Sequence, residues 1–308
     1  MVFLVTGGAG FLGTALANRL VGDGHQVRVI DDLSAGDSAR LDERVQFTPG
    51  DVADRTALWT LLQDVNCVYH LAARVQVSES ILYPREYNHV NVGGTVSVME
   101  AMRDVGVGRV VFASSGAIYG EQVAQPVRED QTPNPQSPYA VSKLAAEYYV
   151  RTIGALWGIQ TVILRVFNAY GPGQSLPPSH PPVVPRFLHQ SLHGGSLVIF
   201  GSGEQTRDYV YVDDVVEALV AAATATDVDR RVINIGCGGE TSVNDLVRLV
   251  ARATGRQVEV LHSPASSGGV SRLSADITIA EKLLRYRPQV DLAQGLRRTM
   301  KNDPRFAV

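Results

Sequence analysis

Short apolar runs separated by longer amphipathic stretches set the pattern of this chain. Val2-Phe3-Leu4-Val5-Thr6 is apolar at consecutive positions, as a strand buried on both faces requires. Residues 14–22 follow with helical spacing and stop at Gly22. Gln26–Asp31, Val45–Phe47, Cys67–Ala73 and Arg109–Ser115 are further strand candidates. Residues from about 84 to 105 carry helical spacing, with Val90, Val92, Val98, Met99 and Met102 as the buried positions. Strands alternating with helices in this way predict an α/β fold with a doubly wound parallel sheet.

From Asn168 onward the pattern changes. Gly171–Pro182 holds too much Pro and Gly for regular structure and is expected to be a loop bordering a pocket. Val183 to about His193 predicts a helix, Leu197–Phe200 an edge strand, and Tyr211 to about Ala225 another helix. Arg231–Gly236 is a strand expected to rejoin the main sheet. Thr241-Ser242-Val243 caps the next helix, which Gly255 stops. Val258–Leu261 is a short strand, and Ile277–Tyr286 and Leu292–Met300 are closing helices. No repeat, low-complexity tract or linker interrupts the chain.

Composition narrows the function. With 308 residues, 45% hydrophobic and 19% charged, the chain has the make-up of an ordinary globular protein. A net charge of -3 gives no electrostatic reason to expect nucleic acid or an anionic membrane as partner. No apolar run approaches the roughly 20 residues that span a bilayer. Met1 runs straight into the first strand, so no signal peptide is expected. Cys67 and Cys237, each expected in a buried strand, build no disulfide framework, and a cytoplasmic location fits.

The first candidate chemistry lies in Gly7-Gly8-Ala9-Gly10-Phe11-Leu12-Gly13. Between a strand and a helix, such glycines let the backbone turn and approach a pyrophosphate, whose charge meets the free N–H groups of the helix. Asp31 ends the second strand about 20 residues later, where a carboxylate accepts hydrogen bonds from both ribose hydroxyls of an adenosine. It would repel a 2′-phosphate, so NAD is favoured over NADP. Leu71-Ala72-Ala73 leaves room for a ligand across the sheet edge. His70, inside an apolar strand, is expected to be a packed, hydrogen-bonded residue.

The second lies at Tyr139 and Lys143, one helical turn apart behind Ser137-Pro138, a cap followed by a first helical residue. A nearby ammonium favours a phenolate, lowering the tyrosine pKa towards working pH. Tyr139 is thereby a candidate general acid or base for a substrate hydroxyl. His189 and His193 are also four apart, but no third ligand stands near them and no metal is expected.

Gly7-x-x-Gly10-x-x-Gly13, Asp31, Asp51-Val52, Ser115 and Tyr139-x-x-x-Lys143 together resemble the extended short-chain dehydrogenase/reductase family. Asp31–Gly36, Ser114–Gly120, Leu164–Pro172 and Gly201–Asp214 resemble its nucleotide-sugar branch, most of all the UDP-glucose 4-epimerases. The resemblance runs from residue 2 to about 214, less distinctly to about 300. It implies a Rossmann domain over 1–167 that binds NAD and a smaller α/β part over 168–308, mainly for the nucleotide sugar. Implied cofactor contacts are Gly7, Gly10, Phe11, Leu12 and Gly13, then Asp31, Asp32, Leu33, Ser34 and Gly36. Further along they are Asp51, Val52, Leu71, Ala72, Ala73, Asn91, Ser114, Tyr139 and Lys143. Ser115, Tyr139 and Lys143 are the implied catalytic group. Ser115, Tyr139, Asn168, Val183, Phe200, Arg207 and Arg272 are the implied substrate contacts, Phe200 against the base and Arg207 on the diphosphate.

The implied reaction is 4-epimerisation of a UDP-hexose through a 4-keto sugar, UDP-glucose and UDP-galactose foremost. UDP-uronate and UDP-N-acetylhexosamine epimerisation are the alternatives, and a sugar-nucleotide-binding sensor is the non-enzymatic one. Gly116-Ala117 lacks the acid and base of the related dehydratases, and Gly173-Gln174-Ser175 lacks the arginine that matches a uronate. A homodimer through helices near 84–105 and 138–157 is also implied. Two departures stand out. An arginine that grips the diphosphate in relatives is replaced at Ser266, with Arg272 as its substitute or Arg207 carrying more of the load. Leu273 stands where N-acetyl groups are screened.

Overall fold

The computed structural model describes residues 1–264 and 270–306, so the Ser266 position lies outside the described residues. β1 (Val2–Thr6) leads into α1 (Phe11–Gly22), β2 (Gln26–Asp31) and β3 (Gln46–Pro49). α2 (Arg55–Leu61) follows, capped by Asp54, whose carboxylate accepts the amides of Thr56 and Ala57. β4 (Cys67–His70) is shorter than the apolar pattern suggests, and beyond it the Leu71 amide still donates to the Thr6 carbonyl of β1 at 3.1 Å.

The stretch with helical spacing from 84 to 105 is interrupted. α3 (Val77–Leu82), which the pattern does not mark, precedes α4 (Pro84–Asn88), a π-helical turn at His89–Gly94 and α5 (Thr95–Val105). The inserted turn aims Asn91 inward and leaves Val90 and Val92 half-buried, while Val98, Met99 and Met102 pack in the core. β5 (Arg109–Ser115), α6 (Pro138–Trp157) and β6 (Gln160–Val166) complete this half. Ser137 caps α6, its hydroxyl accepting the Ala140 amide at 3.1 Å.

β7 (Asn168–Tyr170), α7 (Val183–Leu192), β8 (Leu197–Phe200), β9 (Thr206–Arg207), β10 (Tyr209–Tyr211) and α8 (Val212–Thr224) open the second half. β11 (Arg231–Ile235), β12 (Thr241–Ser242), α9 (Val243–Thr254), β13 (Val260–Ser263), β14 (Arg272–Leu273), α10 (Thr278–Leu284) and α11 (Leu292–Asn302) close it. Cys67 lies in buried β4, but Cys237 sits half-buried in the turn after β11, not in a strand.

Seven parallel strands form the main sheet in the order β11-β6-β5-β4-β1-β2-β3. Alternation along β1 feeds both faces: Phe3 and Val5 pack with Leu16, Leu20 and Leu219, while Leu4 packs with Leu58, Met102 and Val150. Register aligns Thr6 with Ile30 and His70, and Ser115 with Val166. The carboxyl ends of the strands therefore meet at one edge, where a doubly wound sheet opens a crevice. Among the described residues no helix is long and apolar enough to cross a membrane.

Candidate active site

The crevice is a cleft of about 950 Å³ lined by the glycine loop and the ends of β2, β4 and β5. Gly7 is left-handed at φ +68°, and a Cβ there would lie 2.6 Å from the Ala72 backbone. A Cβ on Gly13 would collide with the Gly7 carbonyl, so glycine lets α1 pack against the loop. α1 opens at Gly10 with no side-chain cap and no acid in its first turn. Its leading amides, from Phe11 to Gly13, thus remain available to an anion.

Asp31 faces this loop, accepting the Ala9 amide at 3.0 Å and the Leu33 amide at 2.8 Å. Burial raises its pKa, against those two amides. A carboxylate has about four acceptor directions, so capacity remains for ribose hydroxyls. Asp32 also lines the cleft, but its carboxylate turns to the Ser34 amide and hydroxyl. Ser34, Gly36, Asp51, Val52, Leu71, Ala72 and Ala73 line the same wall. Ser114 adds a buried hydroxyl without a hydrogen-bond partner among the described residues. A backbone cradle, a carboxylate and an orphan hydroxyl fit a dinucleotide.

Two residues expected at the cofactor do not line the cleft. Leu33 is exposed and contributes its amide to Asp31. Asn91, 1% exposed, binds the Arg74 amide and carbonyl and donates to the Ser142 hydroxyl at 2.9 Å. It thereby fastens the cleft-lining Arg74 segment to α6 beside Tyr139.

Ser115, Tyr139 and Lys143 converge on the cleft. Ser115 accepts the Ala117 amide at 3.1 Å, which leaves its O–H to donate. Burial raises the Tyr139 phenol, and only the Ser115 side chain acts in the other direction. Burial also lowers Lys143 to about 7, against the pull of Glu147 one turn further along α6. The Lys143 ammonium lies 4.3 Å from the centroid of the Phe112 ring. Below it, Glu147 forms a two-point ion pair with Arg165, at 3.0 and 2.7 Å, and Arg165 also donates to the Tyr119 hydroxyl.

His70 is bracketed by hydroxyls, Thr6 at 2.7 Å and Thr95 at 2.8 Å. Burial lowers its pKa to about 3, so it is a neutral, packed residue, as an apolar strand suggests. His189 and His193 stack on each other, centroids 4.1 Å apart.

The expected substrate residues are distributed over the second half. Asn168, exposed at the start of β7, pairs in register with Tyr209 of β10. Val183 opens α7, and Phe200 ends β8 with its ring 47% exposed. Among the described residues Arg207 forms no ion pair with Asp208 or Asp213, and its guanidinium donates only to the Thr206 carbonyl, at 2.7 Å. Asp208 points away and accepts the amides of Cys237, Gly238 and Ala275. Arg272 is committed elsewhere, held by Glu240 through bonds of 3.0 and 2.6 Å. Leu273 packs with Ile118, Tyr119, Val127 and Phe167.

Sequence reasoning missed Arg40 and Arg305, which reach the cleft from distant segments. Arg40 donates to the Gly173 carbonyl at 2.8 Å and Arg305 to the Gln174 carbonyl at 2.7 Å. Asp303, just before Arg305, accepts the Gly173 amide at 2.7 Å. It also missed Arg186 on α7. No local motif marks any of them.

Residues 3–236 match the model of the NAD dependent epimerase/dehydratase family. The UDP-glucose 4-epimerase of Mycolicibacterium smegmatis is 39% identical, over 97% of both chains. The crystal structure of the Thermotoga maritima UDP-glucose 4-epimerase with UDP-glucose superposes with a TM-score of 0.94, at 36% identity and 98% coverage of each chain. The UDP-N-acetylglucosamine 4-epimerase of Methanobrevibacter ruminantium, solved with UDP-N-acetylmuramic acid, superposes with a TM-score of 0.92. It is 32% identical, covering 97% of this chain and 96% of its own. With a dinucleotide cradle at one end of the cleft and Ser115, Tyr139 and Lys143 at the other, the chain belongs to the NAD dependent epimerase/dehydratase family and is an NAD-dependent epimerase of the extended short-chain dehydrogenase/reductase type.

Proposed function

We propose that this enzyme interconverts UDP-glucose and UDP-galactose by epimerisation at C4. The observation that carries the reading is the convergence of Ser115, Tyr139 and Lys143 in one cleft with the glycine loop and Asp31. NAD, when bound, supplies the acceptor and then the donor of the C4 hydride, so no external reductant is consumed. Tyr139 takes the proton of the 4-hydroxyl and returns it to the 4-oxygen after the 4-keto sugar has turned over, so that the hydride comes back to the other face of C4. Its buried phenol suits the return, and contact with Ser115 favours the phenolate needed first. The single O–H of Ser115 donates to the phenolate when no substrate is bound and turns to the reacting oxygen when substrate lies between them, and Lys143 stands at the same end of the cleft.

A neutral hexose is favoured over a uronate. Gly173, Gln174 and Ser175 carry no cation of their own, and Arg305, brought to that loop, is neutralised by Asp303. Arg40 holds the Gly173 carbonyl from the same side and is the one cation there without an acid partner among the described residues. The test is to incubate the protein with UDP-galactose or UDP-glucose, with NAD, and follow the anomeric protons by NMR. Approach to one mixture from either sugar is expected. No change in either sugar, with turnover of a UDP-uronate or an N-acetylated sugar instead, would replace the substrate assignment.

The enzyme is further proposed to work as a homodimer. α6 exposes Val141, Tyr148, Tyr149 and Leu156, and α3–α4 exposes Ile81, Leu82 and Tyr83. Val141, Tyr148 and Leu156 repeat every seven or eight residues, on one face of α6. Such a contiguous apolar surface suits a partner helix pair. Sedimentation equilibrium at micromolar protein should give twice the chain mass, and Leu156→Glu with Tyr148→Glu should give one chain mass.

A further inference from the structure

Tyr139, Lys143 and Glu147 follow one another at four-residue spacing on α6, so they share one face of the helix. Lys143 and Glu147 are both buried. Among the described residues Lys143 forms no ion pair, and Glu147 is the acid whose charge reaches it. Both oxygens of Glu147 accept from Arg165 of β6. The remaining Arg165 nitrogen donates to the Tyr119 hydroxyl at 2.9 Å, which donates in turn to Oδ1 of Asn234 on β11 at 2.7 Å. Asn234 closes the chain by donating to the Val127 carbonyl at 3.0 Å. With each of these groups held, the Glu147 carboxylate has one place, a turn behind Lys143. Among the described residues no other acid on the elements packed against α6 competes for the ammonium. β5 presents the Phe112 ring, with Arg109 at its far end held by the Ala225 carbonyl. β4 presents His70, kept neutral by burial between two hydroxyls. Tyr87 of α4 donates to the Gln76 carbonyl, and Glu79 of α3 pairs with Arg74 at 3.6 Å. Glu100 and Asp104 of α5 pair with Arg55, and Asp104 also with Arg103. Arg85, Glu86, His89 and Arg151 are exposed.

A buried ion pair is a weak way to hold a scaffold together. Two well-packed apolar side chains in its place are often as stable or more so, because neither has to leave water as an ion. What they cannot provide is an anion one turn behind a desolvated ammonium. Burial drives Lys143 towards the uncharged amine, and Glu147 acts against it. We propose that Glu147 is a positioning residue for Lys143: locked by Arg165, it keeps the lysine charged and directed at the end of the cleft where Tyr139 reacts. Arg165 is the counterpart that keeps the carboxylate still and ionised. The inference rests on the epimerase reading of Tyr139 and Lys143 and gives a role to the pair beneath them.

The lysines of the chain are Lys143, Lys282 and Lys301 alone, so isotope-labelled lysine gives few NMR signals to follow. The test is to titrate these Cε signals with pH in the purified protein, in Glu147→Gln, in Glu147→Asp, and in Glu147→Gln combined with Arg165→Met. Loss of one signal in Lys143→Met assigns Lys143. In Glu147→Gln the Lys143 midpoint is expected to fall by about one pH unit or more, and Glu147→Asp should recover at least half of that fall. The double variant leaves neither member of the pair behind, so it should fold, and its Lys143 midpoint should still lie below that of the parent. The Lys282 and Lys301 signals should not differ between variants. With UDP-galactose and NAD, the alkaline limb of kcat should move down with the Lys143 midpoint while KM stays within about threefold. A Lys143 midpoint unchanged in the double variant overturns the proposal, and so does an equal shift in the Asp and Gln variants. If Lys143 shifts as expected but no UDP-sugar is turned over, the Glu147 assignment stands and the UDP-sugar reading falls.

Discussion

The two ends of the binding region treat charge in opposite ways. At the dinucleotide end the wall is made of backbone amides and the Asp31 carboxylate, and beneath it lies one matched ion pair, although Lys143 and Asp31 themselves form no ion pair among the described residues. Arg165 and Glu147, only 5% and 3% exposed at their side chains, neutralise each other beneath the Tyr139–Lys143 turn. At the other end, Arg186 and Arg207 are half-buried and have no such partner among the described residues. Matched burial keeps a scaffold rigid, because breaking either member strands the other. Unmatched burial stores a demand that only a ligand satisfies. The contrast separates residues that hold each other in place from residues left without a counter-charge among the described residues.

That contrast can be broken or sharpened by substitution. The largest effect is expected at the reacting atoms themselves. Tyr139→Phe should lower kcat by about two to four orders of magnitude, as loss of a general acid–base does, while UDP and NAD still bind. Retention of kcat within tenfold would remove Tyr139 from the chemistry. Arg165→Met should cost about 3–5 kcal/mol of stability in chemical denaturation, because it leaves the Glu147 carboxylate buried and alone. If Arg186→Met proved equally destabilising, the distinction between the two ends would collapse.

A smaller, pH-dependent effect is expected at Lys143. Its pKa in the folded chain, about 7, lies below the ordinary lysine value, so the unfolded chain binds more protons between the two. The stability that depends on Lys143 is therefore full above the ordinary value and is lost as the pH falls to about 7. Replacing it with methionine should stabilise the nucleotide-free protein by up to a few kcal/mol at pH 6, and by less at pH 9. An equal gain at both pH values would show that Lys143 is not desolvated as described. The smallest effect is expected at Arg272, whose partner is Glu240 on an exposed surface. Arg272→Met should change stability by less than about 1 kcal/mol and leave UDP affinity within twofold, measured by denaturation and calorimetry. A tenfold loss of UDP affinity would return Arg272 to the substrate site.

Local chemistry made much of the first half legible in the sequence. Gly7, Gly10 and Gly13 between a strand and a helix, Asp31 at the next strand end, and Tyr139 one turn before Lys143 all express their meaning within a few residues. Helix period, strand alternation and turn conformation act over that range. The same reasoning failed where local pattern was ambiguous. A π-helical turn has nearly helical spacing, so nothing in residues 84–105 revealed that Asn91 turns inward. Whether an arginine is spent or available was beyond it too. Arg272 looked available and is held by Glu240, 32 residues away. Arg40 and Arg305 look unremarkable and close on one loop from 133 and 131 residues away.

What the sequence determined by itself was therefore the alternation of strands and helices that builds the main sheet, the dinucleotide loop and the one-turn spacing of Tyr139 and Lys143. Each depends on backbone periodicity and contacts one turn apart. Only the tertiary structure decided how charge is balanced: the matched pair under Lys143, the desolvation that raises Tyr139, and the unmatched guanidiniums around Tyr209. Electrostatic environment is set by burial and by whichever groups the fold brings within a few ångströms, and neither is written in the spacing of residues along a chain.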